Sequence, residues 1–180
     1  MLDKIFVTKM CHDLAGTIGT LNNTTELLAI DTSFVNDGIG LLKQSTSVLV
    51  ARLKFFRALL GLDMEINADI AKSYLETLPM IISVEGIINK REHLAFVLLA
   101  SEILIRGGHL QIGETGFVCT GKTLLLDEVK KRILLDGLFE AKPQYAAALW
   151  LSDWMNKNNT KAEIFQNEEA LSVRFLLKDK

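Results

Sequence analysis

The sequence predicts an α+β protein that begins with a helical hairpin and continues as a two-layer α/β sandwich. Two observations predict this fold class. Apolar residues recur at alternating steps of three and four over two long N-terminal segments, the spacing of amphipathic helices. From residue 80 onward, short alternating segments typical of strands are mixed with helical patterns, as expected for helices packed on an antiparallel sheet.

The first helix is predicted over 4–29. Its mostly apolar seam consists of Cys11, Leu14, Ile18, Leu21, Thr25 and Leu28. Gly16 and Gly19 could instead end a helix, which would make 16–20 a loop. The apolar spacing runs from Leu14 to Leu28 without a phase break, and this favours one continuous helix.

A turn over 31–37 separates this helix from a second one, predicted over 38–60 and ended by Gly61. The second seam consists of Leu42, Thr46, Leu49, Leu53, Phe56 and Leu60. One antiparallel hairpin cannot bury both apolar faces, whereas two hairpins can do so in a four-helix bundle. The pattern therefore predicts a symmetric dimer.

The rest of the chain predicts a second domain, with the division at 1–65 and 66–180. A short helix over 69–78 connects the two. Predicted strands cover 80–84, 109–112, 116–120, 161–164 and 171–176, and predicted helices cover 91–105, 127–136 and 144–156. The strands at 109–120 and 161–176 form two hairpins.

Composition excludes several classes of function. The 20 basic and 22 acidic residues leave a net charge of −2, and the sequence has no stripe of basic residues. Nucleic-acid binding is therefore not indicated. No apolar run approaches the roughly 20 residues needed to cross a membrane, and no signal pattern opens the chain. The two cysteines, Cys11 and Cys119, lie in apolar patterns and are interpreted as buried free thiols. We therefore predict a cytoplasmic protein.

His12 is the strongest candidate functional residue. It lies just off the first seam, on a flank predicted to face solvent, and its neighbours on that face are small. These neighbours and the two residues above them are predicted to bind a partner: Thr8, Lys9, Ala15, Gly16, Gly19, Thr20 and Asn23. Asp13 is the adjacent carboxylate that could hold the imidazole proton. An alternative is an ordinary solvated histidine.

Other motifs give weaker predictions. Gly116–Thr123 matches the phosphate-binding loop pattern, but its interior is strand-forming and would place Gly121 and Lys122 in a turn after a strand. The histidines at 12, 93 and 109 lack the spacing of metal ligands, and two cysteines cannot build a zinc site. The sequence contains no glycine-flanked serine, so it does not indicate a catalytic triad.

The stretch Met10–Gly16, followed by Asn22-Asn23 and Glu26–Leu28, resembles the phosphoacceptor helix of the bacterial ChpT-type histidine phosphotransferases. The family pattern is Cys-His-Asp-Leu-x-Gly-Pro, then Asn-Asn and Glu-Leu-Leu. The stretch 51–57, followed by a glycine, resembles the end of that family's second helix. Thr17 replaces the usual proline, which implies a straighter helix.

A further stretch, 105–112, is similar to the helix-to-strand junction of histidine-kinase ATP-binding domains. A working domain of that kind needs an asparagine midway along the preceding helix. Here 96–105 contains none and offers Leu99, and the adenine-reading Asp-x-Gly-x-Gly box is absent. The resemblance therefore implies a degenerate ATPase-like domain, no cofactor and no autokinase activity. Gly16 occupies the position where bifunctional kinases carry the residue used for phosphatase action, so no phosphatase activity is expected.

The resemblance implies a homodimeric phosphorelay protein. His12 would be the phosphoacceptor and Asp13 its orienting carboxylate. The partners would be receiver domains of a hybrid histidine kinase and of response regulators, which bring their own magnesium. Arg52 and Lys54 are predicted to be outward residues that could assist docking. Two alternatives stay open: a small ATP-binding enzyme using Gly116–Thr123, and a non-catalytic dimeric adaptor that sequesters receivers.

Overall fold

The computed structural model describes residues 2–62 and 65–178 and has an α+β fold. The helices of this part of the chain are α1 (Leu2–Ile30), α2 (Val35–Leu60), α3 (Ala68–Leu75), α4 (Arg91–Ile103), α5 (Glu128–Asp136) and α6 (Ala146–Lys157). The strands are β1 (Ile82–Gly86), β2 (Gly108–Gly113), β3 (Gly116–Thr120), β4 (Thr160–Gln166) and β5 (Ala170–Leu177). The predicted order of helices and strands is confirmed, with boundary shifts of a few residues.

Local sequence signals account for several of these boundaries. The side chain of Asn67 accepts a hydrogen bond from the backbone N–H of Ile70 at the start of α3. Asp127 does the same for Lys130 at the start of α5. Gly61 ends α2 with a φ of 75°, a left-handed conformation that favours glycine. The predicted start of α2 at 38 was three residues late, because a short 3₁₀ turn at Thr32–Phe34 leads directly into Val35.

The five strands form one mixed sheet in the order β1-β2-β3-β5-β4. β1 and β2 are parallel and are connected through α4, and the other pairs are antiparallel. Inward residues of β2, β3 and β5, such as Leu110, Cys119 and Val173, are buried under α4 and α6, while alternate residues such as Gln111 and Arg174 are exposed. The ring of Phe96 on α4 stacks on that of Phe175 at 5.1 Å.

The segment that matches the phosphate-binding loop pattern is not a loop in the structure. Gly116–Thr120 is strand β3, paired on both sides with antiparallel strands. Gly121 and Lys122 follow as a bend, and the next helix begins only at Glu128. A phosphate-binding loop must connect a strand directly to a helix whose N-terminal amides face the phosphate. The alternative of an ATP-binding enzyme at this segment is therefore wrong.

The two cysteines differ in their surroundings. Cys119 lies on β3 inside the core, as predicted, and burial raises the pKa of its thiol to about 12. Cys11 was also predicted to be buried, and this prediction is wrong, because its side chain is exposed on α1. The physical reason lies in the packing of the hairpin, since the part of the seam that contains Cys11 is not the surface that α1 turns toward α2.

Within the hairpin, where α1 contacts α2, several small residues are buried. Thr17 and Thr24 on α1 are buried, as are Gly38 and Ser45 on α2. The Thr24 hydroxyl donates to the Thr20 carbonyl, so its burial leaves no unpaired donor. These residues are not apolar enough to mark the contact in the sequence.

The apolar seams predicted from the sequence remain partly uncovered in one protomer. Ile18 is 53% exposed and Leu53 is 41% exposed. Along α2, Val35, Ile39, Leu42, Thr46, Leu49 and Leu53 form a heptad-spaced stripe whose members are all exposed or half-buried. Much of each seam therefore faces outward from the hairpin, whereas Leu28 of the first seam lies against Gly38 of α2 and Phe56 of the second is fully buried.

The lower half of the hairpin packs against the α/β part and shares its core. Phe6 of α1 and Phe55 and Phe56 of α2 are fully buried, and Phe55 stacks on Tyr74 of α3 at a centroid distance of 4.0 Å. α1 also contacts α6, and α2 contacts α4. α1 runs through Thr17 as one uninterrupted helix, so the loop alternative at 16–20 is wrong.

In the described parts of the chain, none of the helices combines the length and apolarity required to cross a bilayer. The division at 1–65 and 66–180 stays a prediction, as does the dimeric bundle.

Candidate functional site

His12 projects from the middle of α1 into solvent. Its side chain is 85% exposed, and Nδ1 lies 3.3 Å from Oδ1 of Asp13. An ionised carboxylate can only accept, so this contact requires the proton on Nδ1. In the neutral form of the ring, Nε2 is then the nitrogen with a free lone pair. The contact of His12 with Asp13 therefore leaves the outer nitrogen of the neutral ring to act as a nucleophile.

Asp13 is held more firmly than His12. Its side chain is 17% exposed, and Nζ of Lys9, one helical turn earlier, lies 3.0 Å from Oδ2. The backbone carbonyl of Asp13 accepts a hydrogen bond from Arg52 of α2 at 2.6 Å. Because its carboxylate and its backbone are both fixed, Asp13 can orient the imidazole that contacts it.

Arg52 was predicted to face outward, and this is wrong. Its guanidinium is partly buried and also donates to the hydroxyl and the carbonyl of Thr77, tying α1 and α2 to the segment after α3. Lys54 is exposed, as predicted. It lies two positions further along α2, about 200° around the helix from Arg52, and therefore on a different side from Asp13.

The predicted docking residues share the face of α1 that carries His12. Those that are exposed are Thr8, Ala15, Gly16, Thr20 and Asn23. Gly19 is half-buried. Lys9 is also half-buried, and its ammonium is directed toward carboxylates of its own chain.

The two glycines are not required by the packing of the protomer. A Cβ atom built on Gly16 or on Gly19 would meet no atom within 4 Å. Both residues lie inside a long helix, where glycine is unfavourable relative to alanine. The open space beside both glycines would let the backbone of a partner protein come close to α1.

This packing gives a stability prediction. Gly16→Ala and Gly19→Ala should each raise the free energy of unfolding by about 0.5–1 kcal/mol, because alanine is the better helix former and nothing obstructs its methyl group. Gly38→Ala is the matched comparison, since its Cβ would lie 2.6 Å from Cδ2 of Leu28, so that side chain must shift and the gain in stability should be smaller. Urea unfolding of the three variants measures both effects. Destabilisation by the α1 substitutions would show that these glycines serve the fold of the protomer.

Two charged residues near the site were not predicted from the sequence. Glu102 of α4 lies 3.8 Å from Nζ of Lys9 through Oε1 and 3.2 Å from Nζ of Lys130 through Oε2. Burial raises the pKa of the Glu102 carboxyl, although Lys130 and Lys9 act in the opposite direction. The only available signal was a lone charge in the otherwise apolar stretch 94–104, since an ionised side chain is rarely buried without a partner.

The α/β part has an apolar residue at the position that the resemblance to histidine kinases assigns to a magnesium ligand. Leu99, at the middle of α4, is fully buried in the core and offers no ligand atom. This position therefore offers no oxygen ligand to a magnesium ion, and the absence of a nucleotide cofactor stays a prediction. Among the described residues, no three side chains of His, Cys, Asp or Glu cluster as metal ligands would.

No protein-family model matches the sequence, and no curated protein matches it. A solved structure, determined at 1.7 Å and described as a bacterial phosphotransferase, matches it along nearly the whole length. The TM-score is 0.76 at 19% sequence identity, over 97% of this chain and 95% of the other. This chain has the fold of that phosphotransferase. At this level of identity, the likeness extends to the fold alone.

Proposed function

We propose that this protein is a phosphorelay histidine phosphotransferase of the ChpT type. His12 takes a phosphoryl group from the aspartyl phosphate of one receiver domain and passes it to the aspartate of another, without ATP. The observation that carries the proposal is the 85% exposed imidazole whose Nδ1 contacts Asp13 and whose Nε2 is open to solvent. The motif around His12 and the likeness of fold to a phosphotransferase support the same function.

The chemistry needs little from this chain. The Nε2 lone pair attacks the phosphorus of the aspartyl phosphate, the bond from phosphorus to the carboxyl oxygen breaks, and the receiver's carboxylate leaves with the electron pair. The phosphorylated ring keeps its Nδ1 proton and gains positive charge, which the Asp13 carboxylate stabilises. The reverse attack by a second aspartate returns the imidazole to its neutral form. The receiver supplies the magnesium ion.

Docking would occur over the small-residue face of α1. Ala15, Gly16 and Gly19 present almost no side-chain bulk below His12, so a receiver loop can bring its phosphoryl group in line with Nε2. The hydroxyl of Thr20 donates to the carbonyl of Gly16 within α1, and the side chain of Asn23 offers a polar contact further along the same face.

The proposal includes a homodimer built on the uncovered seams. The heptad-spaced stripe on α2 and the exposed Ile18 on α1 would be buried in a four-helix bundle of two hairpins. His12 lies about 100° around α1 from the adjacent Cys11 of the seam, so pairing along the seam leaves the imidazole open.

Light scattering tests this assembly. The protein should have a mass of twice 20.1 kDa, and Leu53→Glu should shift it toward the monomer because it places a charge in the seam. Leu41→Glu is the matched control. Leu41 is 47% exposed but lies off the stripe, so that variant should remain dimeric. A monomeric parent protein would refute the bundle.

The proposed activity is tested by mixing the pure protein with a hybrid-kinase receiver domain that has been phosphorylated with acetyl phosphate. Label should move to this protein in a linkage that is labile in acid and stable in base, as expected for phosphohistidine and not for aspartyl phosphate. An unphosphorylated second receiver should then remove the label. Incubation with ATP alone should leave the protein unlabelled. Absence of transfer, or a base-labile linkage, would refute the proposal.

A further inference from the structure

Four charged side chains connect His12's partner Asp13 to the α/β part of the molecule. We call Asp13, Lys9, Glu102 and Lys130 the charge chain. The distances along it are 3.0 Å from Asp13 to Lys9, 3.8 Å from Lys9 to Glu102 and 3.2 Å from Glu102 to Lys130. The four side chains are between 10% and 18% exposed, and their charges alternate in sign.

The charge chain is costly to bury. Taking ionised groups out of water is repaid only when their geometry is good, and an apolar replacement is often as stable. Neither oxygen of Glu102 has a well-aligned hydrogen bond from the described residues, so its contacts with Lys9 and Lys130 rest mainly on charge. Stability of the fold is therefore a weak explanation for this arrangement, and proximity to His12 suggests another.

We propose that Lys9 and Glu102 are positioning residues that set the reactivity of His12, by fixing how much of the negative charge of Asp13 the imidazole experiences. The inference rests on the proposed function of His12 and adds to it a role for the α/β part. Lys9 lies between the carboxylates of Asp13 and Glu102 and offsets the charge of both. Glu102 in turn offsets the charge of Lys9.

The alternating charges determine the direction in which removal of Lys9 or of the Glu102 charge changes the proton affinity of His12. Without Lys9, the carboxylate of Asp13 is uncompensated and stabilises the protonated ring, so the imidazole stays cationic to a higher pH. Without the charge of Glu102, the ammonium of Lys9 acts on Asp13 alone, and the ring loses its proton at a lower pH. Two substitutions that each remove one charge therefore act in opposite directions.

Other charged and titratable groups around the charge chain are the same in both variants. Arg52 of α2 binds the Asp13 carbonyl, and Asp127, the cap of α5, lies 3.3 Å from Lys130. Burial raises the pKa of Tyr74 on α3, so this phenol is uncharged at neutral pH.

The test measures the rate at which His12 is phosphorylated by phosphoramidate, a small donor that needs no docking surface. Nε2 attacks phosphorus, the bond from phosphorus to nitrogen breaks, and ammonia leaves. Only the neutral ring reacts, so the rate rises with pH through a midpoint. Lys9→Met should move this midpoint to higher pH and Glu102→Gln should move it to lower pH.

Two controls separate positioning from a structural role. Lys54→Met and Glu26→Gln remove the same kinds of charge at exposed positions outside the charge chain and should leave the midpoint in place. Lys9→Arg keeps the positive charge and should restore the parent midpoint. Loss of structure would lower the rate at every pH without moving the midpoint in opposite directions.

Midpoints that stay fixed, or that move in the same direction, would overturn the inference while leaving the proposed function intact. Failure of the proposed function appears differently. The parent protein would then accept no label from a phosphorylated receiver, whatever its midpoint with phosphoramidate.

Discussion

The His12→Gln variant is expected to accept no phosphoryl group from a phosphorylated receiver. Glutamine keeps a polar side chain of similar length but has no nucleophilic ring nitrogen, so transfer should fall by at least about 1,000-fold. The side chain of His12 is 85% exposed, and among the described residues its polar contact is with Asp13. The free energy of unfolding should therefore stay within about 0.5 kcal/mol of the parent value. Rapid-quench labelling and urea unfolding measure the two quantities.

His109→Gln is the control for the loss of a histidine. His109 lies on β2, where its Nδ1 is 2.9 Å from the hydroxyl of Ser83, and the variant should retain full transfer. If His12→Gln still passed phosphoryl groups between receivers, His12 would not be the acceptor. If the parent protein bound receivers without being labelled, the non-catalytic adaptor would be the correct function.

Lys130→Met should produce the largest loss of stability at a single charged position. Its ammonium lies between Glu102 at 3.2 Å and Asp127 at 3.3 Å, and its side chain is 10% exposed. Removing it leaves the buried Glu102 carboxylate with only Lys9 at 3.8 Å. Breaking a buried ion pair on one side commonly costs about 3–5 kcal/mol, and the remaining contact with Lys9 reduces this to about 2–3 kcal/mol.

The loss of stability caused by Lys130→Met should increase as the pH rises. Burial raises the pKa of Glu102 above its ordinary value of 4.5 in the folded protein. A carboxyl of this kind stabilises the fold below its unfolded pKa and loses that contribution as the pH rises through its folded pKa. Loss of Lys130 raises the folded pKa further. The deficit relative to the parent should therefore be small near pH 4.5 and grow toward neutral pH.

The double variant Lys130→Met/Glu102→Gln provides the control. It contains no buried carboxylate at this position, so it should recover most of the lost stability at pH 7 and show less dependence on pH than Lys130→Met. Urea unfolding between pH 5 and pH 8 gives the comparison. A double variant no more stable than Lys130→Met would mean that the aliphatic stem of Lys130, and not its charge, stabilises this region.

The apolar spacing of the sequence predicted the helical hairpin but not which helix surfaces meet inside it. Thr17, Thr24 and Ser45 are buried in the hairpin, and such small polar residues give no apolar signal. The seam containing Cys11 was taken for the buried side, and Cys11 was misplaced for that reason. The strands were easier to predict, because they alternate buried and exposed residues and turn residues separate them. The expectation of a wholly antiparallel sheet was wrong, because β1 and β2 are joined through α4 and pair in parallel.

Part of the candidate site could be predicted from the sequence and part could not. His12, Asp13 and the glycines of α1 are neighbours along one helix, so a local motif could bring them together. Glu102 and Lys130 reach the site from α4 and α5, and contacts between residues far apart in sequence leave no local pattern. Arg52 was misplaced because its partner Thr77 lies on a separate segment, and an arginine without a visible partner is ordinarily expected to face water.

The packing of the first helix against the sixth has a consequence for biosynthesis. Ile5 and Phe6 of α1 are buried, and Phe6 lines the same cavity as Trp150 and Trp154 of α6. A ribosome extrudes α1 first and α6 only after most of the chain has been translated. Until then α1 has only its contact with α2, where the ring of Phe6 meets that of Phe56, and its packing against α6 can form only late in elongation.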